Sequence, residues 1–216
     1  MGKLLFLPQN LFIMHRFLFT IVLLIFTFNS VAQTEKIPIN LSIFNESTSI
    51  PFTRFFTTPI HPGIQVGTEL NYHATDRNRL FQTLNLSYFY HGHLNQGIAL
   101  HTELGYERRL PNGLSFSGLL GVGYMRTYAV SEEFVFENDQ YIQKADTGNS
   151  RFFPSLSVDT GYYLKKQEKD SPRIFIRYQA WAEYPYSPDF IPIMSHVNLH
   201  VGVKFFIKRN TTETHE

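Results

Sequence analysis

The 216-residue chain contains no cysteine. That excludes a disulfide framework, a thiolate nucleophile, a Cys-ligated metal and a lipid-anchored cysteine after a leader. Charge of either sign is also in short excess: 19 Lys and Arg stand against 18 Asp and Glu, scattered along the chain without a basic cluster. Such a balance gives nucleic acid no attractive field, and no nucleic-acid partner is expected. No internal repeat, low-complexity tract or shift of composition divides the sequence, so one domain is the simplest organisation. Apolar runs long enough for a membrane helix are missing too, because the longest, Phe17–Phe28, falls short of about 20 residues. Mean hydropathy is −0.16. That value is low for a bundle of membrane helices and ordinary for a barrel, in which every second strand residue faces a polar interior.

Aromatic residues, by contrast, are abundant, with 12 Tyr and 21 Phe. They sit within a period-two pattern that is clearest over Gly97–Tyr128. There Ile98, Leu100, Thr102, Leu104 and Tyr106 share one side of an extended chain, and His101, Glu103, Glu107 and Arg109 share the other. A Pro111-Asn112-Gly113 turn follows, after which Leu114, Phe116, Gly118, Leu120, Val122 and Tyr124 resume the apolar side. Strands of a dozen or more residues are about twice the usual soluble length and match a tilted membrane crossing. The same alternation marks Ile37–Asn45, Ile64–Ala74, Leu80–Tyr90, Arg151–Leu164, Arg173–Tyr184 and His196–Lys208. Eight strands result, and the predicted fold is all-β: an eight-stranded antiparallel up-and-down transmembrane β-barrel spanning 33–208. In the last strand Val197, Leu199, Val201, Val203, Phe205 and Ile207 form an unbroken apolar face. Ten steps of about 3.3 Å, tilted by about 40°, give an apolar band roughly 25 Å tall, the height expected of an outer-membrane barrel.

Outside the barrel, residues 1–32 read as a signal peptide: Lys3 and Arg16 precede the apolar run, and Ser30-Val31-Ala32 supplies small residues for cleavage. Residues 209–216 form a polar C-terminal tail. Short turns at Thr75–Asn78 and Pro111–Gly113 belong on the periplasmic side, which places 46–62, His91–Gln96, 130–150 and 184–192 outside. The first of these loops is predicted not to pair, because of Pro51, Pro59 and Pro62. The acidic stretch 130–150 is predicted to be irregular and is the candidate contact for an extracellular partner. Nine tyrosines, including Tyr72, Tyr106 and Tyr178, fall on the outward parity as interfacial girdles would.

The inward parity carries Glu69, His73, His101, Glu103, Glu107, Asp159, Arg173, Arg177, Glu183, His196, His200 and Lys204. An eight-stranded barrel is just wide enough for side chains to fill. These residues are therefore predicted to form a polar network that plugs the lumen. His91-Gly92-His93 has no visible spacing to a third ligand, so no metal and no cofactor is predicted. Ser195-His196 lies near the outer rim, but adjacent strand residues point apart and cannot act unaided as nucleophile and base.

The alternation, the strand lengths and the leader together resemble a small eight-stranded outer-membrane barrel of the OmpA/OmpX type. Phe44-Asn45-Glu46-Ser47 and His61-Pro62-Gly63 further resemble segments of outer-membrane barrels of Bacteroidota. The resemblance implies a place in the outer membrane of a Gram-negative bacterium, with outer-membrane lipid and the barrel assembly machinery as partners. It implies no particular activity. A non-enzymatic barrel acting through its outer loops is the leading expectation; a rim-sited lipid A-modifying enzyme and a narrow channel are the alternatives.

Overall fold

The computed structural model describes residues 36–208 except 93–94, 131–132, 138–139, 145, 167, 169 and 188–189. The expected signal peptide and polar tail lie outside the described residues. The described residues form ten strands: β1 (Lys36–Thr48), β2 (His61–Ala74), β3 (Asn78–Tyr90), β4 (Asn95–Arg109), β5 (Leu114–Ala129), β6 (Glu133–Glu137), β7 (Gln140–Lys144), β8 (Asn149–Tyr163), β9 (Arg173–Glu183) and β10 (Met194–Lys208). Eight of them close into one antiparallel barrel in the order β1-β10-β9-β8-β5-β4-β3-β2. The remaining two, β6 and β7, pair only with each other. They make a hairpin of the stretch 130–150, which the sequence reading took to be irregular.

The alternation of the sequence becomes the two faces of the wall. Along β4, Ile98, Leu100, Leu104 and Tyr106 are exposed on the outside, while Ala99, His101, Glu103 and Glu107 are buried within. The same division runs through β3, β5 and β8. The connections after β2, β4 and β8 lie at one end, which we call the turn end, and those after β1, β3, β5 and β9 at the other, the loop end. Gly113 adopts φ 95° in the turn between β4 and β5, a left-handed conformation that glycine reaches without cost.

Three further features depart from the sequence reading. Pro62 lies inside β2 and stands opposite Asn45, so β1 and β2 pair beyond the expected boundary. A proline near the start of a strand leaves the ladder intact because few of its hydrogen bonds are yet due. His73 does not join the lumen residues. The β2–β3 register shifts between Asn71 and His73, which puts His73 opposite outward-facing Leu80, and the bulge has turned it to the exposed side. Tyr178 has outward parity but is buried. The 49–60 connection folds down over the wall there: the Phe52 backbone N–H donates to the Tyr178 hydroxyl at 2.8 Å, and the Phe52 and Phe55 rings lie 5.3 and 5.2 Å from the Tyr178 ring.

Candidate functional site

Inward-facing side chains from all eight barrel strands fill the interior in layers. At the turn end and middle, four acids alternate with four bases in one unbroken chain of ion pairs. Lys204 Nζ lies 3.5 Å from Glu69 Oε2, and Glu69 also meets Arg79. Arg79 Nε is 3.4 Å from Glu107 Oε1, and Arg173 Nε is 3.4 Å from Glu107 Oε2. Arg173 Nη2 reaches Asp159 Oδ1 at 2.6 Å. Arg177 then bridges Asp159 and Glu103, at 3.1 Å to each carboxylate. The hydroxyl of Tyr163 donates to Glu107 at 2.6 Å and accepts from Lys204 at 3.2 Å. A buried charge is costly unless it is paired and its remaining lone pairs are bonded. Glu103 shows how far that requirement is met: besides Arg177 it accepts from Ser157 at 2.7 Å and from Gln179 at 3.3 Å.

There is little room left around these groups. A Cβ built on Gly161 would stand 2.5 Å from Arg173 Nε. One built on Gly121 would meet the Ser155 hydroxyl at 2.5 Å and the Glu103 stem at 2.6 Å. Inward glycines at these positions are what let the long charged side chains cross the lumen.

Toward the loop end the chemistry changes. His101 Nε2 accepts from Asn85 Nδ2 at 3.3 Å, and His200 shares a hydrogen bond with the Ser42 hydroxyl at 3.1 Å. Above them Phe44, Phe89, Ala99, Met125, Phe153 and Trp181 form a buried apolar layer. Trp181 Nε1 donates to Asn198 at 3.0 Å, so the ring is anchored. On its other face it stacks against His196, with centroids 4.1 Å apart and planes 10° from parallel.

His196 opens the last layer, the mouth. Its Nδ1 is 2.7 Å from Glu46 Oε1 and its Nε2 is 3.4 Å from Glu183 Oε2. Glu183 is held in turn by Arg151 at 2.8 Å. Beside Glu46 lie two more imidazoles, His61 at the start of β2 and His91 just after β3, stacked with centroids 3.5 Å apart. Burial, the largest influence, holds the His91 imidazole below its ordinary value; Glu46 opposes that and His61 adds to it.

Of the twelve lumen residues read from the sequence, the structure therefore buries eleven inside the barrel and turns His73 outward. Glu46, His61, Arg79, Arg151 and Tyr163 belong to the same interior but had escaped the sequence reading. Glu46 and His61 fall in the stretch 46–62 that Pro51, Pro59 and Pro62 mark as an unpaired loop, and Arg79 falls between the turn Thr75–Asn78 and the strand expected from Leu80. Ser195 and His196 part as neighbours on a strand must: Ser195 donates to the Ser49 backbone carbonyl at 3.1 Å, and His196 is buried in the mouth. They form no nucleophile and base pair.

No family model matches the sequence, and no curated protein matches it. Solved structures do resemble it. Neisserial surface protein A is 8% identical, with 79% of this chain and 95% of that chain covered and a TM-score of 0.52. The outer membrane enzyme PagL is 8% identical over 78% of this chain and 98% of its own, with a TM-score of 0.45. Ail, the attachment invasion locus protein of Yersinia pestis, is 11% identical over 81% of this chain and 100% of its own, with a TM-score of 0.46. At such identities the likeness to Neisserial surface protein A speaks for the fold alone: this chain is an eight-stranded antiparallel closed β-barrel.

Proposed function

We propose that the chain is a non-enzymatic barrel of the outer membrane of a Gram-negative bacterium, with a closed lumen, acting through what its loop end presents. The observation that carries this reading is the unbroken chain of eight ion-paired side chains, from Lys204 to Glu103, under an apolar layer of rings. Paired charges that satisfy one another across a narrow interior leave an ion neither a path nor a free partner. The outer wall supports the membrane location. Leu86, Leu100, Leu104, Leu120, Leu156 and Val201 are all exposed on it. A continuous apolar belt of that kind is a liability in water and is satisfied in a bilayer. Tyr88, Tyr90, Tyr124 and Tyr184 are exposed toward the loop end, with Tyr106 nearer the turn end, where interfacial rings belong.

Outer-membrane lipid and the barrel assembly machinery are the partners this implies, and the hairpin β6–β7 is the contact offered to a partner outside the cell. The 49–60 connection adds a second exposed element of different character. Ile50, Phe52, Phe55, Phe56 and Ile60 are exposed on it, over a wall that faces lipid. Planar-bilayer recording tests the closed lumen: the refolded protein should give no single-channel steps. Stable, reproducible steps absent from protein-free controls would move a narrow channel to first place.

A further inference from the structure

We propose that Glu46, His61 and His91 form a binding site for one first-row divalent transition-metal ion of the zinc class at the loop-end mouth. One ligand atom from each residue lies within 4.8 Å of the other two. The residues come from β1, from β2 and from the connection after β3, so spacing along the chain could not reveal them together.

Three observations point to a ligand and not to a plain polar cluster. The Glu46 side chain is almost fully buried, at 1% exposure, and while its Oε1 is taken by His196, its Oε2 has no hydrogen-bond partner. His61 Nε2 and His91 Nδ1 are likewise buried without a partner. Buried polar atoms are normally satisfied, so an orphaned carboxylate oxygen beside two rings that each carry an orphaned nitrogen is an arrangement a cation would complete. Second, His61 Nδ1 lies 3.1 Å from the backbone carbonyl of Glu46. That carbonyl can only accept, so Nδ1 carries the proton and Nε2 presents its lone pair. A bond from the other ring nitrogen to a carbonyl is how metal-ligating histidines are oriented. Third, two imidazoles stack at 3.5 Å beside a carboxylate. These are donor types that zinc takes, and because each ring donates through a lone pair in its own plane, the rings turn out of their stack when they share one ion.

The donor set selects the metal. Two imidazole nitrogens and one carboxylate oxygen suit zinc or copper and suit calcium or magnesium poorly. Zinc with three protein ligands leaves its fourth position to water. Ligand atoms around a tetrahedral zinc are about 3.3 Å apart, as bonds of about 2.0–2.1 Å require, so small rotations of the side chains close the site. Such an ion would tie three successive strands together at the mouth.

The test uses the mature, untagged protein refolded in detergent micelles at pH 7.5, with Zn²⁺ as the probe. Titration calorimetry should read one Zn²⁺ per barrel, and zinc-edge X-ray absorption should read two imidazoles bound to the metal. His61→Ala and His91→Ala should each weaken binding at least about tenfold, as loss of one of three ligands does. The double variant should abolish it. Each variant is first checked for the faster migration of a folded barrel on an unboiled gel; if an alanine variant fails that check, Glu46→Gln, which keeps size and the contact to His196, provides the same comparison. No binding by the unmutated protein, or unchanged affinity in the double variant, overturns the proposal. Binding removed only by His215→Ala assigns the ion to the tail and overturns it equally. None of these outcomes depends on whether the lumen conducts.

Discussion

At the turn end and middle of the barrel the interior is filled by eight charged side chains joined through their ion pairs; toward the loop end, below the mouth, it is filled by rings. Both halves occupy the same narrow cylinder, yet they fail differently. In the charged half the strength of each contact depends on its partner, and removing one group strands another in a place where water cannot replace it. In the aromatic half the stabilisation is spread over many weak contacts, and a substitution that keeps volume is absorbed. The charged half therefore acts as the lock of the lumen and the aromatic half as a packed lid over it.

The sharpest way to break this comparison is Arg177→Ala. Arg177 is the base paired with Glu103 and one of two on Asp159. Its loss should cost about 3–5 kcal/mol, the range for stranding a buried charge, read from urea titration in lipid vesicles. Bilayer recordings should stay silent, because neighbouring long side chains can swing into the gap. A cost below about 1 kcal/mol would place the charged half on the same footing as a surface network. On the opposite face of the wall, Leu120→Arg should cost about 2–4 kcal/mol if that residue sits near the bilayer midplane; a neutral result in the same titration would reverse the assignment of faces.

In the aromatic half, Trp181→Phe should cost about 1–3 kcal/mol, chiefly from leaving the Asn198 oxygen without its donor. Heat-dependent gel mobility suits this variant, since it removes the fluorophore. A cost matching that of Arg177→Ala would erase the distinction between the halves. The smallest effect belongs to an ion pair outside the lumen. Lys165 and Glu168 meet at 3.0 Å in an exposed turn. Lys165→Ala should change stability by about 0–1 kcal/mol in the same vesicles, the range for surface pairs.

The wall of the barrel was legible in the sequence because strand polarity repeats every second residue, and one face must be apolar along its whole length. That fixed which residues of β3, β4, β5, β8 and β10 look inward before any contact was known. Pairing partners were not legible. Nothing in the spacing of Arg79 and Glu69, or of Arg177 and Glu103, says which acid meets which base, since that depends on register around a closed cylinder. Parity itself failed at His73, where one bulged residue reverses the faces for the remainder of the strand. Tyr178 marks a different limit: its parity was right, but the fold of a connecting segment over the wall cannot be inferred from alternation. The mouth is hidden from the sequence because its members lie on three separate stretches, β1, β2 and the connection after β3. His91 in a loop is weak evidence alone, and Glu46 and His61 had been set aside as unpaired.

The barrel closes by pairing β1 with β10, from Lys36 opposite Lys208 to Thr48 opposite His196. The first strand made is thus completed by the last. Until β10 arrives, β1 and β9 each keep an open edge, and the hairpin β2–β3 holds Glu69 and Arg79 without Lys204. Closing the cylinder and neutralising its contents are one event in the history of the chain. A ring closed over so long a separation forms slowly. The cylinder is accordingly complete only when its final strand takes its place.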